Sequence, residues 1–166
     1  AYKELVLNGK TISEDDFKKA VWNKSRDNAR TPMQWDDSDN AGFTTGTPWF
    51  RVSDRYKEIN VEQALADKDS IFYYYKKLIG LRHKESLLTE GDYQLLMPED
   101  EKIFAYLRNT EDESWLIAAN MSEDTVLTDG LKTFVKEKQE VMIGNYEREN
   151  LDEALRPYEA FMMRIK

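Results

Sequence analysis

Two arginines, Arg26 and Arg30, stand within the twelve residues 25–36 beside Asp27, Asn28, Gln34 and Asp36, on a segment anchored by Pro32 and Trp35. A guanidinium presents planar, forked donors, which suits the vicinal hydroxyls of a sugar or a carboxylate that itself holds a sugar. The same run also reads as a salt-bridged loop that stabilises only itself, and on chemistry alone that plainer reading is the commoner one. The other titratable groups offer less. His83 is the single histidine, sits near a helix end where it meets the helix dipole, and has no second histidine with which to build a metal cluster. The acidic runs Asp36-Asp37, Glu99-Asp100-Glu101 and Glu111-Asp112-Glu113 fall in turn-forming stretches. A carboxylate pair that cleaves a glycosidic bond with retention must be held about 5–5.5 Å apart, with one member kept as an acid. Exposed turn acids do not meet that demand, so no catalytic residue, metal ligand or cofactor is assigned.

The elements around this loop follow from periodicity. Tyr2, Leu5 and Val6 share a helical face that ends at Asn8-Gly9. Ser13 with Asp16 predicts a capped helix start, followed by Phe17, Ala20 and Val21 on one face. Between Asn23 and Ile59 the period fails at Pro32, Gly42, Gly46 and Pro48. That is longer than most structureless connections, and its aromatic residues Trp35, Phe43, Trp49, Phe50 and Tyr56 predict an ordered, packed loop. Asn60 with Gln63 opens a short helix, and Ile71, Phe72, Tyr75, Leu78 and Ile79 form a wide apolar stripe on a longer one that must pack against something large. Tyr73, Tyr74 and Tyr75 point in different directions and make no stacking platform. After Ser86 short alternating runs predict strands near 93–97, 103–108, 115–121, 125–128, 133–135, 140–143 and 160–165. Phe104, Tyr106, Trp115 and Ile117 read as core residues of that sheet.

Composition bounds the function. The 166 residues suffice for one sizeable core or two small ones. A formal charge of -8 opposes nucleic acid and anionic lipid as partners. The chain has no cysteine, hence no disulfide and no thiolate metal site, which suits the cytoplasm. No apolar run approaches the roughly 18 residues of a membrane span.

Residues 25–50, SRDNARTPMQWDDSDNAGFTTGTPWF, resemble the segment after the final barrel strand in α-amylase-type glycoside hydrolases, closest to the bacterial oligo-1,6-glucosidases and similar to the trehalose-6-phosphate hydrolases and dextran glucosidases. The likeness continues at residues 56–61, 69–78, 91–93, 104–108 and 155–160 and so covers essentially the whole chain. It implies an α+β chain: the end of a (β/α)₈ barrel at 1–86, helices and long loop, followed by an antiparallel Greek-key β-sandwich domain at 87–166. A complete barrel needs about 250 residues. The family's nucleophile Asp, acid/base Glu and third Asp lie upstream of the arginine-bearing loop, and no segment here matches their motifs. The resemblance therefore implies a part of a retaining α-glucosidase for short α-1,6-linked oligosaccharides that is inactive alone, with Arg26 helping to hold the terminal glucose unit and Arg30 supporting it.

Two other readings stay open. Hydrolysis of trehalose 6-phosphate is the alternative within the family. A non-catalytic carbohydrate-binding or interaction module is the alternative of another class. The helices of residues 1–60, deprived of a barrel, are expected to be poorly packed, mobile or self-associated.

Overall fold

The computed structural model describes residues 6, 8, 9, 12–135 and 139–165, the side chain of Asn28 excepted. The helical face expected at Tyr2 and Leu5 lies outside them. The chain divides into two compact units, Ala1–Tyr74 and Tyr75–Lys166.

The first unit is helical and irregular. Helix α1 spans Glu14–Lys24. Its start is capped as predicted: Ser13 Oγ accepts from the Asp16 N–H at 3.0 Å and donates to Asp16 Oδ2 at 2.7 Å. Three acidic residues in the first turn and Lys24 in the last complement the helix dipole. Helix α2 spans Val61–Ala66, capped by the buried Asn60, whose Oδ1 accepts from Gln63 N and whose Nδ2 donates to the Tyr56 carbonyl, both at 2.8 Å. Helix α3, Ile71–Lys84, begins in this unit and runs mostly in the second; it carries the predicted stripe, and Ile71, Phe72, Tyr75 and Ile79 are all exposed.

The second unit contains the short helices α4 (Leu87–Glu90) and α5 (Asp129–Lys132) and one five-stranded antiparallel sheet. Its strands are β1 (Asp92–Leu96), β2 (Ile103–Asn109), β3 (Ser114–Asn120), β4 (Glu140–Gly144) and β5 (Ala160–Arg164), in the order β1-β2-β3-β5-β4. Helices come first and antiparallel sheet second, as expected. Period-two alternation puts Ile103, Ala105, Leu107, Leu116, Ala118, Phe161 and Met163 on one face, where they are buried. Leu131, Leu151 and Leu155 close that core from the connections, each fully buried aliphatic contributing about 1.5–3 kcal/mol.

Two of the predicted strands differ from the structure. Residues 125–128 reduce to an isolated bridge between Val126 and Leu155, and residues 133–135 follow α5 as turn and coil. The β-branched threonines there suggested strand, but Thr128 is engaged otherwise: its Oγ1 donates to the Leu151 carbonyl at 2.6 Å and its own carbonyl accepts from Leu131 N, so the chain winds into a helical turn.

The opposite sheet face corrects one expectation. Trp115 is fully buried, but Phe104 is 49% exposed. The register explains this. Phe104 lies across from Ala119 and one residue out of phase with the buried Ile103 and Ala105, so it points away from the core. Trp115 shares that face, yet its Nε1 donates to Glu113 Oε1 at 2.7 Å and the Arg164 guanidinium lies 5.7 Å from its ring centroid.

Candidate functional site: the arginine-bearing loop

Arg26 opens a single 3₁₀ turn, Arg26–Ala29. Ser25 caps it: its Oγ accepts from the Asp27 N–H at 3.2 Å, while its own N–H donates to the Val21 carbonyl at the end of α1. The arginine is thus fixed at the exit of a helix by a hydroxyl with strong turn preference. Its side chain is exposed and, among the described residues, forms no ion pair. Arg30 closes the same turn, its N–H bound to the Asp27 carbonyl. Arg30 Nη1 lies 3.7 Å from Asp27 Oδ1, with both side chains more than half exposed, a pair worth little in water. The structure thus brings the two arginines to either end of one turn and leaves the forked donors of Arg26 open.

Beyond the turn the loop is held by backbone geometry. Trp49 Nε1 donates to the Arg30 carbonyl at 3.2 Å, a link across 19 residues. The N–H groups of Trp35 and Val61 donate to the carbonyls of Ala41 and Gln34 at 2.8 and 2.9 Å, and that of Glu62 to the Trp35 carbonyl at 3.0 Å, which ties the loop to the start of α2. Pro32 and Ala41 are buried, whereas Trp35 and Trp49 are exposed. The aromatics were expected to order the loop by burial. Hydrogen bonds across tight turns do so instead.

A tight turn lies at residues 36–42, around the breaker Gly42. Asn40, Ala41 and Gly42 take φ of 55°, 58° and 65° in succession. Asn40 Nδ2 donates to the carbonyls of Thr44 and Gly46, each at 3.2 Å. Asp36 Oδ1 accepts from the Ser38 N–H at 2.9 Å and from its hydroxyl. Those two hydrogen bonds, the hydroxyl's first, hold the Asp36 carboxyl below its ordinary value. The Asn-Ala-Gly run with Asp and Ser upstream was the signal available for this turn.

The acids left without a role are unassembled. Among the described residues no group of three or more His, Asp or Glu could hold a metal ion. His83 is exposed in the last turn of α3.

A family model described as the catalytic domain of α-amylase matches residues 3–91, and one described as the C-terminal domain of maltogenic amylase matches residues 93–162. An oligo-1,6-glucosidase of Heyndrickxia coagulans is 52% identical over 160 residues, 96% of this chain and 28% of that protein. A trehalose-6-phosphate hydrolase of Bacillus subtilis is 43% identical over 170 residues, 99% of this chain and 29% of that protein. Among solved structures, an isomaltulose synthase from Klebsiella superposes with a TM-score of 0.82 at 34% identity, over 99% of this chain and 30% of that one. The trehalose-6-phosphate hydrolase of Bacillus licheniformis, solved as the R201Q mutant, gives 0.81 at 40% identity, over 96% of this chain and 30% of that one. The chain therefore spans about 30% of the length of the relatives it matches.

Proposed function

Because the chain belongs to the α-amylase family, we propose that it is the C-terminal part of a retaining α-glucosidase that hydrolyses α-1,6 bonds of short oligosaccharides in the cytoplasm. In this reading residues 1–86 complete the catalytic barrel and residues 87–166 form the C-terminal β domain. The carboxylates that cleave the bond belong to the portion of the enzyme that this chain does not span. Its own contribution is binding: the Arg26 guanidinium helps to hold the terminal glucose unit, and Arg30, fixed at the other end of the same turn, supports it.

The observation that carries this reading is the 52% identity to an oligo-1,6-glucosidase across 160 residues. The open donors of Arg26, on a loop whose backbone is pinned at Arg30, Trp35 and Gln34, support the binding role. A substrate grip needs its donors unspent and its backbone fixed before the ligand arrives.

A chimera tests it. In the Heyndrickxia coagulans oligo-1,6-glucosidase, residues 1–166 of this chain would replace the matching segment, and hydrolysis of isomaltose and of trehalose 6-phosphate would be measured. Turnover of isomaltose is expected. Arg26→Ala should lower kcat/KM by about 10- to 100-fold, the range of one or two charge-assisted hydrogen bonds, and Arg30→Ala by less. Unchanged kinetics in Arg26→Ala would remove its assigned role. A chimera that turns over only trehalose 6-phosphate would favour the second reading, for which the 43% identity to that hydrolase speaks.

A further inference from the structure

The second unit holds a concavity of about 380 Å³ that contains neither Arg26 nor Arg30 and has the size of a small-molecule site. Arg82 from α3 and Arg108 from β2 line it together with Tyr93, Tyr106, Leu88 and Met162, and no aspartate or glutamate does. In a chain of formal charge -8 two guanidinium groups around one cavity need a reason. Among the described residues neither has a carboxylate partner. The ion pairs of this unit among the described residues are formed by Lys84, Lys102, Lys132, Arg148, Arg156 and Arg164. What holds the two arginines is one long hydrogen bond each, Arg82 Nη1 to the Leu88 carbonyl and Arg108 Nε to the Leu87 carbonyl, both at 3.4 Å. Most of the five donors on each fork stay open.

The two charges act at one point. Burial pushes the Tyr106 hydroxyl up from its ordinary value, and the charges of Arg108 and then Arg82 oppose it. Tyr93 lies beside Tyr106 with ring centroids 5.1 Å apart, and pairs across the strands with Arg108. The walls are therefore aromatic and aliphatic, with Tyr75, Leu78 and Ile79 of α3 among them, and the two guanidinium groups are their only charged members.

We propose that this pocket binds a phosphomonoester, with its oxygens on the open guanidinium donors of Arg82 and Arg108 and the tyrosine faces against whatever the phosphate carries. A phosphate monoester brings close to two negative charges at neutral pH and three acceptor oxygens, which matches two forked cations better than a single carboxylate does. The proposal does not rest on the reading of the chain as part of an α-glucosidase.

The test is calorimetric titration of the 166-residue chain at low ionic strength with glucose 6-phosphate, inorganic phosphate and glucose. Saturable binding of glucose 6-phosphate, displaced by excess inorganic phosphate, with none for glucose, is the expected result. Equal affinity for the two phosphates assigns the site to phosphate itself, and tighter glucose 6-phosphate adds contact with the rings. Arg82→Gln, on the exposed side of a helix, should weaken binding by at least about tenfold with an unchanged melting temperature, and Arg108→Gln should do the same. Should Arg108→Gln unfold, Arg82→Gln with Arg82→Lys as its charge-retaining control still decides. Absence of saturable heat with both phosphates, glucose binding as well as glucose 6-phosphate, or Arg82→Gln binding as tightly as the unaltered chain overturns the proposal.

Discussion

At Gly42 the backbone sits at φ +65°, and a Cβ built there would meet the Asp36 carboxylate oxygens at 2.6 and 2.8 Å. The position therefore requires glycine twice over, for conformation and for space. Gly42→Ala is expected to destabilise the first unit by about 1–3 kcal/mol, read as a lower urea midpoint by Trp fluorescence. A midpoint unchanged from the parent would mean that the turn relaxes freely. In the second unit the decisive residue pair is Arg148 and Glu159, whose side chains are each 1% exposed and 2.7 Å apart at Nε and Oε1. Arg148 also donates to the carbonyls of Asn150, Glu153 and Ala154, so one guanidinium gathers the whole 148–154 connection. Burial pushes the Glu159 carboxyl up, but hydrogen bonds from the Arg148 side chain and the Arg156 N–H, with both positive charges, outweigh it and hold the carboxyl below its ordinary 4.5. A lowered folded value means that this stability is complete above pH 4.5 and is lost as pH falls through the lower value of the native state. Glu159→Gln leaves a buried cation short of its partner and should cost about 3–5 kcal/mol at neutral pH. Melting curves of the two proteins should converge as the pH is taken down below that point, and a gap independent of pH would contradict the assignment.

At the scale of elements, those that follow from local chemistry were legible in the sequence and those set by tertiary pairing were not. The caps at Ser13 and Asn60 were readable because side chain and backbone partners lie three residues apart. The alternation of β2 and β3 was equally plain, but which phase faced the core was not. Phe104 and Tyr106 are large strand-formers that could fill a core as readily as Ile103 and Leu107, so only the pairing with β3 decides between them. The segment at 125–135 failed for a related reason: the Thr128 side chain finds its partner at Leu151, 23 residues away. Of the candidate site, the arginines were visible from type and spacing, whereas the turn that holds the loop depends on three successive positive φ values that no periodicity reports. The stripe on α3 was also legible, and its exposure has a consequence. With Ile71, Phe72, Tyr75 and Ile79 uncovered, the isolated chain is expected to self-associate. Ile71→Lys with Ile79→Lys should shift sedimentation at high concentration toward the monomer, and an unchanged distribution would place the association elsewhere.

For the molecule as a whole, the contrast lies between a second unit with a buried sheet core and a first whose α1 and α2 bury no residue among those described. Few buried contacts and many solvent-facing backbone hydrogen bonds make for low local stability. Amides of residues 12–60 are therefore expected to exchange faster than those of β2 and β3 in a proven monomer, and equal protection would contradict this. The chain spans about 30% of the relatives it matches, and the function proposed above assigns the reacting carboxylates to the part it does not span. That division of labour is most directly tested by assaying the purified 166-residue chain alone with isomaltose and an aryl α-glucoside. The account predicts no hydrolysis above the uncatalysed rate. Turnover that co-purifies with the chain and falls in Arg26→Ala would contradict it, because the cleaving carboxylates would then have to lie among these residues.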